Sequence, residues 1–243
     1  RHLSIFILSF IGSIFFYLLS FKRFNSWKLA LLSTMLLVST PRIFAESFYN
    51  SKDIVFMYFF LINTFFALNF IDKPTNINAF LFALASSLCI GVRILGVFLP
   101  LFAFYFLWIK FLRNDYKINL KSSIFIFLFS LIILTIFFWP TLWESPIKSF
   151  FYSLMSFKSF DYYIFNFYLG EFVFAKSNYW HYIPVWILIT TPPLIIIIFI
   201  YGFCVTTLRL CKRLIKIDSD NNSYDLWRGQ YEFQDLLFLS LII

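Results

Sequence analysis

The sequence predicts an all-α fold, a polytopic transmembrane helical bundle, on three observations. Of 243 residues, 61% are hydrophobic and 24% aromatic, with a mean hydropathy of +0.82. A single soluble core of this length cannot hide so much apolar surface, so part of the solvent must be lipid. The apolar residues form unbroken runs rather than the polar–apolar alternation of barrel strands, which predicts helices. Lys and Arg gather in short segments between those runs, as membrane topology requires.

A bilayer core takes roughly 20 helical residues, fewer where a helix is short or shielded by neighbours. On that basis seven spans are expected, at 3–21, 27–40, 54–71, 77–90, 95–111, 123–142 and 183–208, with an eighth starting at Leu236. The second and fourth are short. The first run has no small-residue cleavage site after it and reads as a span, not a signal peptide. The chain opens at Arg1 and stops inside an apolar run, so both ends are expected to be cut. All of 1–243 reads as one transmembrane domain, with outer loops 41–53 and 143–182 and a cytoplasmic segment 209–235.

Orientation follows from the cations. Lys22, Arg23 and Lys28, then Lys73, then Arg113, Lys117 and Lys121, then Arg209, Lys212, Arg213 and Lys216 fall in one alternate set of connections. The other set holds Arg42 and Lys52, Arg93, and a long segment with Lys148, Lys158 and Lys176. The richer set is therefore cytoplasmic. The net charge of +8 is spread as topology demands and does not point to nucleic acid. Cys89 and Cys204 lie in apolar runs and Cys211 in a basic segment, so no disulfide is expected.

The outer face carries the unusual chemistry. The loop PRIFAESFYNSKD, 41–53, packs four charges between two spans, where charges tend to be paired or functional. Arg42 and Glu46 are four apart and share one face of a helical turn. Lys52 and Asp53 stand at the mouth of the next span, where Asp53 is placed to cap it. A cap with a local ion pair and a cavity lined by an acid and bases are both open readings. Arg93, in CIGVRILGVFLP, suits an interfacial anchor or a phosphate clamp equally. In ESPIKSFFYSLMSF, Pro146 suits a first helical position. Ile147, Phe150, Phe151, Leu154 and Met155 then recur at helical spacing opposite Lys148, Ser149, Ser153 and Ser156. This predicts an amphipathic helix lying on the membrane.

The following stretch, FDYYIFNFYLGEFVFAKSNYWHYIPVW, is dense in Tyr and Trp, with Asp161, Glu171, Lys176 and His181. Such aromatics form an interfacial belt or stack on sugars. His181 fits an interfacial position, an acid/base group or a metal ligand; His2 is remote in sequence. There is no HExxH or paired CxxC, and no P-loop or GxGxxG.

Three stretches together resemble one family. PRIFAESFYNSKDIVFMYFF is similar to the PR-F-x-(H/E)-S-(F/Y)-N-x-K-D segment of bacterial membrane glycosyltransferases related to protein O-mannosyltransferases. LASSLCIGVRILGVFLP is similar to their next segment, G-x-x-I-G-x-R-x-x-G. LGEFVFAKSNYWHYIPVWILITTPP is similar to their outer loop, with its aromatic triplet and the TTP start of the next span. The resemblance implies a C-type glycosyltransferase fold in the bacterial plasma membrane with an extracytoplasmic active face. It also implies transfer of a sugar, with inversion, from a polyprenyl- or dolichyl-phosphate-linked donor to a protein, lipid or glycan acceptor, and no nucleic-acid partner.

By the same resemblance Asp53 and Glu46 are the catalytic-set carboxylates, Asp53 on the acceptor side and Glu46 paired with Arg42 or helping to hold a divalent metal. Arg42, Lys52 and Arg93 neutralise phosphate, and Trp180, His181 and Tyr182 wall the sugar site. The family's principal acidic motif precedes the span that begins near Leu3, so the main catalytic carboxylate is expected upstream of Arg1 and this stretch alone is expected to be inactive. The competing expectations are a transporter or flippase, which would place charges or helix breaks at mid-membrane in two related halves, and a non-catalytic assembly protein. Charges gathered at one face favour the transferase.

Overall fold

The computed structural model describes residues 1–112, 120–158, 165–174 and 179–215, together with residues 235 and 239. The chain divides into two compact units, Arg1–Ile164 and Phe165–Ile243. Both are mostly helical.

In the first unit α1 (His2–Phe24) and α4 (Asp53–Asp72) run parallel, with α2 (Trp27–Val38) and the short α3 (Pro41–Glu46) between them in sequence. Their shared direction follows from contacts at both ends. Near the start of α1, His2 Nδ1 donates to the Phe48 carbonyl at 2.7 Å. Near its end, Lys22 Nζ meets Asp72 Oδ2 at 2.6 Å and Asn69 Oδ1 at 2.8 Å. Lys22, of one cation set, thus sits at one end of these helices, and Arg93, of the other set and paired with Asp53, at the opposite end. Midway, Gly12 lets α1 approach α4, because a Cβ there would overlap the Tyr58 ring. Tyr58 packs with Ile5 and Ile54.

Helix α5 (Asn76–Val92) returns antiparallel and packs against α4 and against α7 (Leu120–Phe138). Its start is fixed by Thr75, whose side chain accepts the Asn78 N–H at 3.3 Å. The core between these helices is aromatic, with the Phe82 and Phe127 rings 4.7 Å apart and Phe70 5.9 Å from Phe127. Asn63 is fully buried beside it, and Ser86 Oγ donates to Asn63 Oδ1 at 2.9 Å. In contrast, Leu3, Phe6, Ile7, Phe10, Ile14, Leu18 and Phe21 of α1 form an exposed apolar stripe, on which the Phe48 ring stacks at Phe6.

Three of the described helices, α1, α4 and α7, are long and apolar enough to cross a membrane. The expected spans at 27–40, 77–90 and 95–111 correspond to shorter apolar helices, α2, α5 and α6 (Phe98–Leu112). The span expected at 123–142 ends at Phe138. A 3-10 turn, Pro140–Leu142, leads from there to α8 (Pro146–Lys158), the amphipathic helix expected with Pro146 first. Its apolar residues Ile147, Phe151 and Met155 are exposed.

The second unit departs from the expectation of helices alone. Phe165–Tyr168 (β1) and Glu171–Phe174 (β2) form an antiparallel hairpin, with Phe165 opposite Phe174 and Tyr168 opposite Glu171. The two-residue turn has positive φ at both Leu169 (51°) and Gly170 (93°), the twist that matches paired strands. The span expected at 183–208 is two helices, α9 (Tyr182–Thr190) and α10 (Pro193–Ile215). Thr191 is extended at φ −103°, ψ 133°, because the ring of a following proline disfavours helical geometry in the residue before it. Cys89, Cys204 and Cys211 are free. Arg113, Lys117, Asp161, Lys176, most of segment 209–235 and the eighth span from Leu236 lie outside the described residues.

Candidate functional site

The outer-loop residues assemble at the start of α4. Pro41 opens α3, preset for a first helical turn. On its one face Arg42 Nε donates to Glu46 Oε1 at 3.0 Å, as the spacing predicts. The other oxygen of Glu46 accepts from Asn50 Nδ2 at 3.1 Å. Asn50 is the hub of the cluster. Its Oδ1 accepts the backbone N–H groups of Lys52 (3.0 Å) and Asp53 (2.9 Å). Its Nδ2 also reaches Asp53 Oδ2 at 3.3 Å. The other oxygen of Asp53 is ion-paired with Arg93 Nη2.

Asp53 was expected to cap α4. Asn50 satisfies the first orphan amides instead, which leaves the Asp53 carboxylate free to turn outward to Arg93. The signal was present as Asn50-x-x-Asp53 ahead of an apolar run, the spacing of a helix start.

Arg93 arrives from the far end of α5. Its backbone is extended (φ −146°, ψ 132°), and the turn Ile94–Val97 folds back so that Gly96 N–H donates to the Arg93 carbonyl at 2.9 Å. A Cβ on Gly96 would stand 2.8 Å from the Cys89 carbonyl carbon and the Ile90 nitrogen. Only glycine permits this return, and the return aims Arg93 at α4.

Two residues not singled out from the sequence also reach the loop. Arg1 Nη2 donates to Ser51 Oγ at 2.5 Å, and His2, remote in sequence, touches Phe48 as described. Lys52 contributes its amide to the hub. Arg42, Lys52 and Arg93, joined by Arg1, thus outnumber the carboxylates of Glu46 and Asp53, and the side chains of Arg42, Asp53 and Arg93 are exposed. This arrangement can meet an anion while holding carboxylates beside it. Among the described residues no three metal-ligating side chains come together. Both carboxylates face cations and Asn50, a setting that does not fit a divalent cation.

Trp180, His181 and Tyr182 belong to the second unit, where they meet the hairpin. The His181 ring stacks on Tyr179 at 5.3 Å and meets Trp180 edge-on at 5.4 Å. Tyr168 lies 5.0 Å from Tyr182 and 5.8 Å from His181. Trp180 is 89% exposed, whereas Tyr168 is buried and its hydroxyl finds no hydrogen-bond partner among the described residues. Burial, and then the neighbouring Tyr182, hold the Tyr168 phenol above its ordinary pKa, so it stays a neutral donor. Tyr168 joins the aromatic group only because of the hairpin, which the sequence did not announce.

A scan against protein-family models and searches of curated proteins and of solved structures find no match to the chain.

Proposed function

We propose that this chain is the multi-pass membrane portion of a glycosyltransferase that moves a sugar from a polyprenyl-phosphate-type carrier to an acceptor hydroxyl on the extracytoplasmic face. The observation that carries the reading is the joined set Arg42–Glu46–Asn50–Asp53–Arg93 at one helix end. The likeness of three segments to bacterial membrane glycosyltransferases favours the same reaction. Three long apolar helices and the exposed apolar stripe on α1 favour a bilayer as the surroundings.

In this proposal the acceptor oxygen attacks the anomeric carbon as the bond from that carbon to the carrier phosphate breaks, which inverts the centre. Asp53, with Glu46 beside it, takes or orients the acceptor's proton. Arg42, Lys52 and Arg93 hold the departing phosphate, whose charge grows in the transition state. In the second unit, Trp180 by itself offers an exposed aromatic face of the kind that stacks on a sugar ring.

The test is Asp53→Asn in the intact protein, incubated in vesicles with a radiolabelled polyprenyl-phosphate sugar and acceptor. Loss of a proton-handling carboxylate should lower label transfer by about 100-fold or more, with membrane insertion unchanged. Undiminished transfer removes Asp53 from the reaction. Label that crosses the bilayer still attached to its carrier identifies a flippase instead. Impermeant labelling that puts position 53 on the cytoplasmic side of the membrane excludes a reaction on the extracytoplasmic face.

A further inference from the structure

The hairpin is two-faced. Directly opposed residues of antiparallel strands point to the same side, so Phe165, Phe174, Phe167 and Phe172 form one face. Their rings meet pairwise at 5.6 and 5.3 Å. Asn166, Val173, Tyr168 and Glu171 form the other face, and Tyr168 on it contacts Tyr179, His181 and Tyr182. The phenylalanine face carries no polar atom beyond its backbone, and Phe165, Phe167 and Phe172 are exposed. The apex is apolar as well. Leu169 is 72% exposed at a position of positive φ, where water-facing hairpins place Asn or Asp.

The chemistry of the occupant follows from these facts. A second copy docked on the phenylalanine face would cover the rings but not the apex, which points along the strands. A lipid layer covers both. The apolar surface also continues through Tyr182 into α9 and α10, and no charged residue occurs between Tyr179 and Leu208. Four-residue strands reach only about 13 Å, too short to cross a bilayer but enough to enter its boundary layer, which amphipathic elements penetrate by about 5–10 Å.

We propose that the hairpin Phe165–Phe174 is a monotopic lipid insert. Its phenylalanine face and Leu169 lodge at the headgroup–acyl boundary, and its opposite face holds the aromatic group around His181 at that depth. The insert rests on the reading of the chain as a membrane protein, so its test carries a separate control for that reading.

In the full chain carrying Cys89→Ala, Cys204→Ser and Cys211→Ser, a single cysteine is introduced by Leu169→Cys, by Phe172→Cys, or, as the control, by Phe199→Cys in exposed α10. Each is labelled with a small fluorophore and reconstituted in phosphatidylcholine–phosphatidylglycerol vesicles. The insert predicts that headgroup-level spin-labelled lipid quenches positions 169 and 172 at least about twofold more than aqueous iodide does. Stronger quenching by iodide, or protection from both quenchers, overturns it. If position 199 is lipid-quenched and 169 and 172 are not, the insert alone is wrong; if 199 is also iodide-quenched, the membrane reading falls with it. Two hairpin positions are used so that one misfolded variant does not decide the result.

Discussion

Replacing Asn50 by alanine tests whether one amide organises the outer-loop cluster. The side chain makes four hydrogen bonds, two accepted from the Lys52 and Asp53 amides and two donated to Glu46 and Asp53. Loss of a helix-start acceptor costs about 1 kcal/mol. The donated bonds end on carboxylates, which strengthens them, but the Asp53 side chain is 60% exposed and one bond is 3.3 Å long. Water therefore competes, and together they contribute about 0.5–1 kcal/mol. Asn50→Ala should thus destabilise the first unit by about 1.5–2 kcal/mol. Asn50→Ser keeps a capping oxygen and loses the donors, so it should cost about half as much. Equilibrium unfolding by SDS in mixed micelles, followed by circular dichroism, measures both. Equal losses for Ala and Ser would show that the cap is not the source, and an Ala variant within about 0.5 kcal/mol of the parent would remove Asn50 from the organising role.

Gly96→Ala should cost about 1–3 kcal/mol, because the added Cβ meets backbone that cannot yield. Paired with Asp53→Asn in a double-mutant cycle it should be non-additive, since it acts through Arg93; additivity within about 0.3–0.5 kcal/mol refutes that route. The Tyr168 phenol, raised by burial and then by Tyr182, should titrate above the ordinary tyrosine value of about 10. A difference spectrum between the parent and Tyr168→Phe should show this, and Tyr182→Phe should bring the titration partway down. The linkage sign is that of a group raised on folding. The stability that Tyr168 contributes is complete below about pH 10 and lost as pH rises through the folded value, which an alkaline ramp followed by near-ultraviolet dichroism should register in the parent and not in Tyr168→Phe.

The parts of the fold legible in the sequence are those set by long-range composition. Apolar runs located α1, α4 and α7, the spacing of Ile147, Phe151 and Met155 located α8, and the four-residue interval of Arg42 and Glu46 gave their ion pair. Features decided by local backbone chemistry were harder to read. The Leu169–Gly170 turn lacks the Asn-Gly or Asp-Gly pair that usually marks a hairpin, so its strands were hidden among aromatics. The double proline after Thr191 lies inside the span expected at 183–208, and there it divides α9 from α10. The pairing of Asp53 with Arg93, forty residues apart, depends on how α5 returns along α4, which no local pattern specifies.

The break at Thr191 changes where the second unit would meet a bilayer. An unbroken helix over 183–208 would be about 39 Å long, well beyond a hydrocarbon layer of about 30 Å. With the chain divided, the apolar part of α10 is Pro193–Arg209, shorter than the spans of α1, α4 and α7, and the nine residues of α9 form a separate element. Pro192 and Pro193 also offer no amide to the carbonyls of Leu188 and Ile189. Among the described residues those two carbonyls accept no loop or cap amide, and such oxygens are satisfied most cheaply where water begins. On the proposed membrane reading the proline pair therefore marks a shoreline, with α10 on its lipid side and the hairpin at its edge.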